Sequence, residues 1–539
     1  MKEISIKKIL FFVVILCICA AFGIFSTRNA LTFFSKSNNQ AGYLSAVHLG
    51  EVERQSRSLG RFVQPAEMKI KDARFSLPAT RCQKETGTTN SKWHAGFSRR
   101  LLDVKTPLRM GGYGFFGGFP QAGRFSSGIA DELSVSTVAI VGENGVSVVF
   151  ASLDVVGLSL ASTERIREQF EDLLRTNHQL PACFYLVVTS THTHSSPDTL
   201  GLWGAFPYSS GRDDDFLQTL ETQTAEASFE AYMNRQPAEI LITQGHFKNN
   251  STAKEFSDDE FYSLRFVSEK KELGTLIRWS GHPSVIGMEN TLLSSDFVGS
   301  FRKESEKNTG GISVFLNGSL GKVYPSERTK SPLLSQSEFE HEEAQYIGTS
   351  LAQAVHAAQG GATQIPPKSV SWVKVRAPFP ISNRIFQLAT KFDIIERPLP
   401  FRRNAIALDC NFNIGPLDER PYCLTTSEVG VVTIGDFSVF LLPGEIFPSV
   451  SKSVLSEFPT SKWKTTVSMA NDWLGYIPSS EEFCSSFFAV DMPAECRDTL
   501  VTLGKGIPYH TALAPSAQLA NELQSLTRRA YDLLDLQAD

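Results

Sequence analysis

The stretch from Phe184 to Val188 is a short apolar run rich in aromatic and β-branched residues, and it leads through Thr189-Ser190-Thr191 into His192-Thr193-His194-Ser195-Ser196-Pro197. A run of this kind that ends in a Ser/Pro turn reads as a buried strand. In extended chain, residues two apart point to the same side, so both imidazoles can face one site where the strand ends, an arrangement suited to a metal ion. An isolated His-x-His is more often a pair of polar loop residues, so the rest of the chain has to decide.

Strands and helices alternate around this stretch. Leu133 to Val141 and Val146 to Val156 read as two strands joined by the turn Gly142-Glu143-Asn144-Gly145. Ser162 to Leu174 has helical spacing with Ser162 as its cap, Phe216 to Met233 is a second helix, and strands follow near Ile240 and Leu264. Ile312 to Leu316 is a further strand, Glu338 to His356 a helix, Pro366 to Pro400 an irregular stretch, and Ser516 to Leu536 a closing amphipathic helix. The pattern predicts an α/β, mixed α+β fold: a single large domain, residues 93–539, of mixed sheets flanked by helices. Internal repeats are not evident.

Glycine-rich Gly112-Tyr113-Gly114-Phe115-Phe116-Gly117 contains a literal G-x-G-x-x-G. No strand precedes it and Phe119-Pro120 follows where a helix would have to start, so it is not a dinucleotide loop but a place where backbone approaches something closely. Gly321-Lys322 lacks the glycine spacing and hydroxyl of a phosphate loop. With 52 basic and 57 acidic residues and a net charge of −5, the chain has no electrostatic footprint for nucleic acid.

Seventeen apolar residues from Ile9 to Phe25 follow Lys2, Lys7 and Lys8. This is a signal peptide or a signal anchor, with a slight preference for a single-pass anchor that leaves the body outside the cytoplasm; the alternative is secretion. Residues 26–92 read as a stalk or loosely ordered extension. Export makes disulfides reasonable, most simply Cys410 with Cys423 and Cys484 with Cys496, although connectivity is not readable and Cys183 reads equally well as a buried thiol. Sequons at Asn249, Asn250 and Asn317 matter only in a host that glycosylates. Nothing in the sequence speaks to oligomeric state.

Three more segments end apolar strands in residues able to bind metal. They are Gly281-His282-Pro283, Pro443-Gly444-Glu445, and Asn471-Asp472-Trp473-Leu474-Gly475-Tyr476. Together with Gly112-Tyr113-Gly114, Thr191 to Pro197, Ser295-Asp296-Phe297 and the Asn317 to Pro325 loop, and in this order, they make the chain from Trp93 to Leu536 resemble the catalytic domain of the neutral/alkaline ceramidases, zinc amidases that cleave the N-acyl bond of ceramide. The resemblance implies a Zn2+ ion held by His192, His282, Glu445 and Tyr476. It also implies a water activated by that ion, His194 as general base or hydrogen-bond partner of the water, and Tyr476 beside the oxyanion.

Three departures from the family pattern bear on function. Where the family has Gly-Asp-Val-Ser-Pro, this chain has Gly321-Lys322-Val323-Tyr324-Pro325, so Lys322 and Tyr324 stand in place of an acid and a serine. The family's Asn-Arg-Ser-Pro segment has no convincing counterpart, and the expectation is a catalytic domain without the family's C-terminal immunoglobulin-like domain. The expectation is a zinc hydrolase acting on a small-molecule or lipid amide, with membrane contact through the N-terminal segment; a non-catalytic metal-binding relative and a metal-dependent esterase remain the alternatives. Phe115, Phe116, Phe119, Trp203 and Phe206 are candidates to line an acyl groove, or are ordinary core. Asp154 and Asp296 are candidates to orient a ligand histidine, or to cap a helix.

Overall fold

A computed structural model describes residues 79–82, 92–114, 124–205, 209–249, 258–269, 271–325, 334–381, 386, 389, 394–396, 423–458, 461–480, 482–483, 514–516 and 518–535. The Ile9 to Phe25 run and residues 26–78 lie outside them, as do Phe115, Phe116, Phe119, Phe206, Asn250, Cys410, Cys484 and Cys496. Among the described residues no helix is long and apolar enough to cross a membrane.

Alternation along the central strands sorts side chains onto two faces. In Ser134–Val141, Val138 and Ile140 turn to one side, and Val135, Ala139 and Val141 to the other. This strand belongs to a nine-stranded mixed sheet ordered Ile312–Asn317, Lys271–Trp279, Glu260–Ser268, Gln236–His246, Trp93–Leu101, Ser134–Val141, Ser147–Leu153 and Phe184–Ser190, with Thr363–Ile365 added on Gln236–His246. Each terminal strand runs parallel to its neighbour and the strands between are antiparallel. The sheet curls until its edges meet: Ser152 Oγ donates to Phe315 O (2.5 Å), and Asn317 Nδ2 donates to Ser190 O (3.2 Å) and Thr191 O (2.6 Å). That closure brings the end of Phe184–Ser190 beside the ends of Lys271–Trp279 and Ile312–Asn317. It also buries the Asn317 amide, which removes that sequon from use.

A five-stranded sheet, ordered Ala79–Cys82, Val370–Ile381, Cys423–Ile434, Phe437–Leu441 and Trp463–Val467, shares a core with the nine-stranded one through Val370, Trp372, Val432, Val439 and Trp463. Its other face is covered by helices Pro448–Ser456 and Leu519–Asp535. Helices Leu160–Thr176 and Asp214–Met233 cover the outer face of the nine-stranded sheet, and Phe297–Thr309 and Gln336–Ala358 cover the end that contains Ile277 and Phe315. The mixed α+β domain read from the sequence is thus observed.

Four local readings change. Helix Leu160–Thr176 begins earlier than expected, because Ser159 and not Ser162 is the cap, accepting from Ser162 N. Val370–Ile381 is a long strand within the stretch read as irregular. Pro378 and Pro380 hide its alternation, and they are tolerated because Ala79–Cys82 pairs only as far as Val375, so the proline end is an edge. Ala79–Cys82 lies inside the segment read as a loose extension, yet it is an integral strand. Cys183, read as a buried thiol or a disulfide partner with equal weight, is joined to Cys82 (Cα–Cα 6.0 Å); this bridge ties the two sheets together, a pairing that neighbouring positions in sequence could not suggest.

The bridge spans a sequence separation of 101, so losing it frees a long loop in the unfolded chain. Cys82→Ser with Cys183→Ser should cost about 2–4 kcal/mol, read as a lower midpoint in urea unfolding; as the control on bonding, the denatured wild type should show as many thiols as the variant before reduction and two more after it.

Candidate metal centre

Three loops deliver four ligand-type side chains to one buried spot. His192 follows Phe184–Ser190 and takes φ +66°, a costly conformation for a residue other than glycine. Its amide donates to Val155 O (3.0 Å) and its Nδ1 lies 2.5 Å from Val156 O. His282 follows Lys271–Trp279, with its amide bonded to Val323 O (2.9 Å) and Nδ1 3.4 Å from Leu320 O. Glu445 opens a two-residue parallel ladder in which it stands opposite Tyr476. His194 Nε2 is 2.9 Å from His282 Nε2 and 3.4 Å from His192 Nε2, and His192 Nε2 is 3.1 Å from Glu445 Oε2.

The tautomers follow from these contacts. An Nδ1 facing a backbone carbonyl must carry the proton, so His192 and His282 present the lone pair of Nε2 to the centre. Lone pairs turned toward each other repel unless a proton or a cation lies between them. Neutral His194, whose Nδ1 has no partner, can carry its one proton on Nε2 and donate it to His282, but this leaves the His192 Nε2 lone pair against Glu445 Oε2. A second proton on His194 is disfavoured, because burial, then the neighbouring His282, His192 and Arg124, hold its pKa well below the usual value. Burial opposes ionisation of Glu445 too, but positive charge on the His192 and His282 side, with the Trp473 indole N–H, brings its carboxyl down to about 2. Glu445 Oε2 and His194 Nδ1 are buried without a hydrogen-bond partner. Three imidazole nitrogens within 4.8 Å of one another, with an adjoining carboxylate, are a donor set that fits zinc or a similar first-row ion.

The glycine loop is what approaches His194 closely. A Cβ on Gly112, which has φ +103°, would fall 2.4 Å from His194 Cγ, so only glycine fits there. Tyr113 packs edge-on against the His194 ring at 4.7 Å and donates its hydroxyl to Ser284 O or Ile286 O. Arg124, with no sequence signal to mark it, donates to His194 O (2.6 Å), Gly111 O (3.0 Å) and Asn290 O (2.7 Å), stapling three loops around the histidine.

Tyr476 is buried beside Glu445, and its hydroxyl is hydrogen-bonded with that of Tyr324, whose ring lies 5.3 Å from the His282 ring. Burial and the Glu445 charge raise the Tyr324 pKa. Tyr324 and His282 line a cleft of about 200 Å³ with Ser284, Pro325, Phe339 and Glu340. Lys322 places its amine 5.4 Å from the Phe447 ring. Trp203 is core. Asp154 bonds to no described histidine: it is fully buried against Arg302 at 2.5 Å and accepts from Ser134 and from Thr191 Oγ1 (3.3 Å). Asp296 caps helix Phe297–Thr309 and also accepts from Ile286 N.

Two expectations test this arrangement. Gly112→Ala should destabilise the fold by about 1–3 kcal/mol more than Gly145→Ala, since Gly145 also has positive φ but open space around it; paired thermal melts measure the difference. Asp154→Asn leaves Arg302 buried and unpaired and should cost about 3–5 kcal/mol in chemical unfolding, while ion content of the protein that remains folded stays at the wild-type level.

The sequence matches no protein-family model and no curated relative. Two solved structures share the fold. Neutral ceramidase from Pseudomonas aeruginosa superposes with a TM-score of 0.58 over 81% of this chain and 74% of its own, at 14% identity. A ceramidase complexed with C2 gives 0.60 over 83% and 76%, also at 14% identity. The family resemblance carried by the short motifs and the architecture of the whole domain therefore agree: this chain has the neutral ceramidase fold.

Proposed function

We propose that the protein is a metal-dependent amidohydrolase that cleaves an N-acyl amide, with a lipid amide as the substrate class. The observation that carries the reading is the convergence of His192, His194 and His282 Nε2 with Glu445 Oε2 in one buried spot. His192, His282 and Glu445 would hold the ion, with His194 as a third imidazole at the same centre and Tyr476 adjoining. Bound there, zinc would act as a Lewis acid and lower the pKa of water toward ~7.

The chain's own residues supply the rest. His194, which burial keeps neutral and whose Nδ1 is committed to no carbonyl, would hydrogen-bond the water at the centre. The Tyr324 and Tyr476 hydroxyls, linked to each other beside His282, are placed to donate hydrogen bonds to a developing oxyanion or to protonate the departing amine. Lys322, directed to Phe447, is given no step in the reaction. The cleft beside His282 and Tyr324 admits substrate, and its mixed lining, with Glu340 next to Phe339, suits a polar group near the scissile bond. The Cys82–Cys183 bridge supports an exported domain behind the apolar Ile9 to Phe25 leader, because disulfides persist in oxidising compartments.

Metal analysis of the protein, beside His192→Ala and Glu445→Ala, tests the centre. About one zinc per chain is expected, lost in both variants, and hydrolysis of a fluorescent N-acyl sphingosine should fall with chelator and return with Zn2+. Zinc without turnover of that amide or of the matched ester would favour a non-catalytic metal-binding role; ester turnover alone would make the protein an esterase.

A further inference from the structure

Trp473 stands behind Glu445 and has a specific donor aimed at it. Its Nε1–H donates to Glu445 Oε1 at 3.0 Å, while Glu445 Oε2 faces His192 Nε2 at 3.1 Å. The indole is itself fixed. Trp473 is buried, its amide donates to Asp472 Oδ1 (2.8 Å), and that carboxylate also takes Leu160 N (2.9 Å) at the head of helix Leu160–Thr176 and, through Oδ2, the Ser427 hydroxyl (2.7 Å). Phe386 stacks on the ring at 5.8 Å. The backbone leaves little slack on the other side: Gly444 has φ +117°, and Glu445 N donates to Gly475 O at 2.8 Å.

We propose that Trp473 is a positioning residue that makes Glu445 a one-oxygen ligand and thereby sets which ion the centre prefers; this rests on the metal-centre reading above. A carboxylate with both oxygens available can grip an ion through two atoms, which suits larger ions of high coordination number. With Oε1 occupied by a buried indole donor, Oε2 is the stronger donor left to the centre. A single carboxylate oxygen among imidazoles favours a low-coordination ion such as zinc over manganese. Partners of this kind orient ligands and typically change metal affinity by about 10- to 100-fold.

The test replaces the donor and keeps the shape. Trp473→Phe removes the N–H, and β-(3-benzothienyl)alanine introduced at position 473 puts sulfur in place of Nε1 with the ring volume kept, in case the phenylalanine variant does not fold. Metal-free protein is titrated with Zn2+ and Mn2+ against a chelator, and the absorption spectrum of the Co2+ form reports coordination number. The expected result is about 10- to 100-fold weaker Zn2+ binding, a smaller loss for Mn2+, and weaker cobalt d–d bands, as coordination number rises. Wild-type affinities and an unchanged cobalt spectrum in the benzothienyl protein would overturn the role of Trp473 and leave the metal centre standing. Absence of Zn2+ and Co2+ binding in the wild type would overturn the metal centre itself, and this inference with it.

Discussion

Everything at the centre depends on two backbone carbonyls. Val156 O and Leu320 O take the Nδ1 protons of His192 and His282, and this alone decides that Nε2 of each ring arrives as a lone pair. A buried cluster of such lone pairs beside an ionised carboxylate is unfavourable unless a cation completes it. The fold accepts that cost because the surrounding loops cannot relax. His192, Asp296, Lys322, Met469 and Asn471, all in or beside these loops, have positive φ without being glycine, a concentration of backbone strain of the kind found at functional sites.

The scaffold that prevents relaxation is the closure of the curled sheet. Asn317 bonds the carbonyls just before His192, and Asn471 accepts from Val188 N and donates to Tyr185 Oη, so the strand carrying the histidines is held from both sides. The Cys82–Cys183 bridge anchors the same strand at its other end. Below the centre, Arg278 and Asp258 form a buried ion pair with Ser280 and Ser319 on the carboxylate; burial resists the charge, but Arg278 and the hydroxyls hold that carboxyl at about 2. These contacts orient the loops that carry His282 and Leu320 without touching the ligands themselves.

How far the site could be read in advance differs residue by residue. His192, His194, His282, Glu445 and Tyr476 each sit where an apolar run ends in a tight turn, so strand periodicity and turn chemistry marked them one at a time. The glycine loop announced a close approach, and the partner turned out to be His194. His194 had been set apart from the ligands by family resemblance, whereas distance gives its Nε2 the same standing as the other two. Arg124, Trp473 and Asn317 act through single hydrogen bonds to residues far off in sequence, which no local pattern encodes. Asp154 illustrates the converse: an acid at a strand end resembled a histidine partner, but Arg302 on a distant helix claims it.

The sequence by itself determined the local elements and the residue types offered at their ends, because hydrophobic period, caps and glycine turns act over a few residues. It also contains the net charge of −5 and the apolar run from Ile9 to Phe25. Only the tertiary structure decided which strand ends meet, which cysteines bond, and which oxygen of Glu445 faces the histidines. Those outcomes depend on sheet curvature and on contacts between segments as much as 452 residues apart, as in the Arg81–Leu533 bond, and a one-dimensional pattern carries no distance between them.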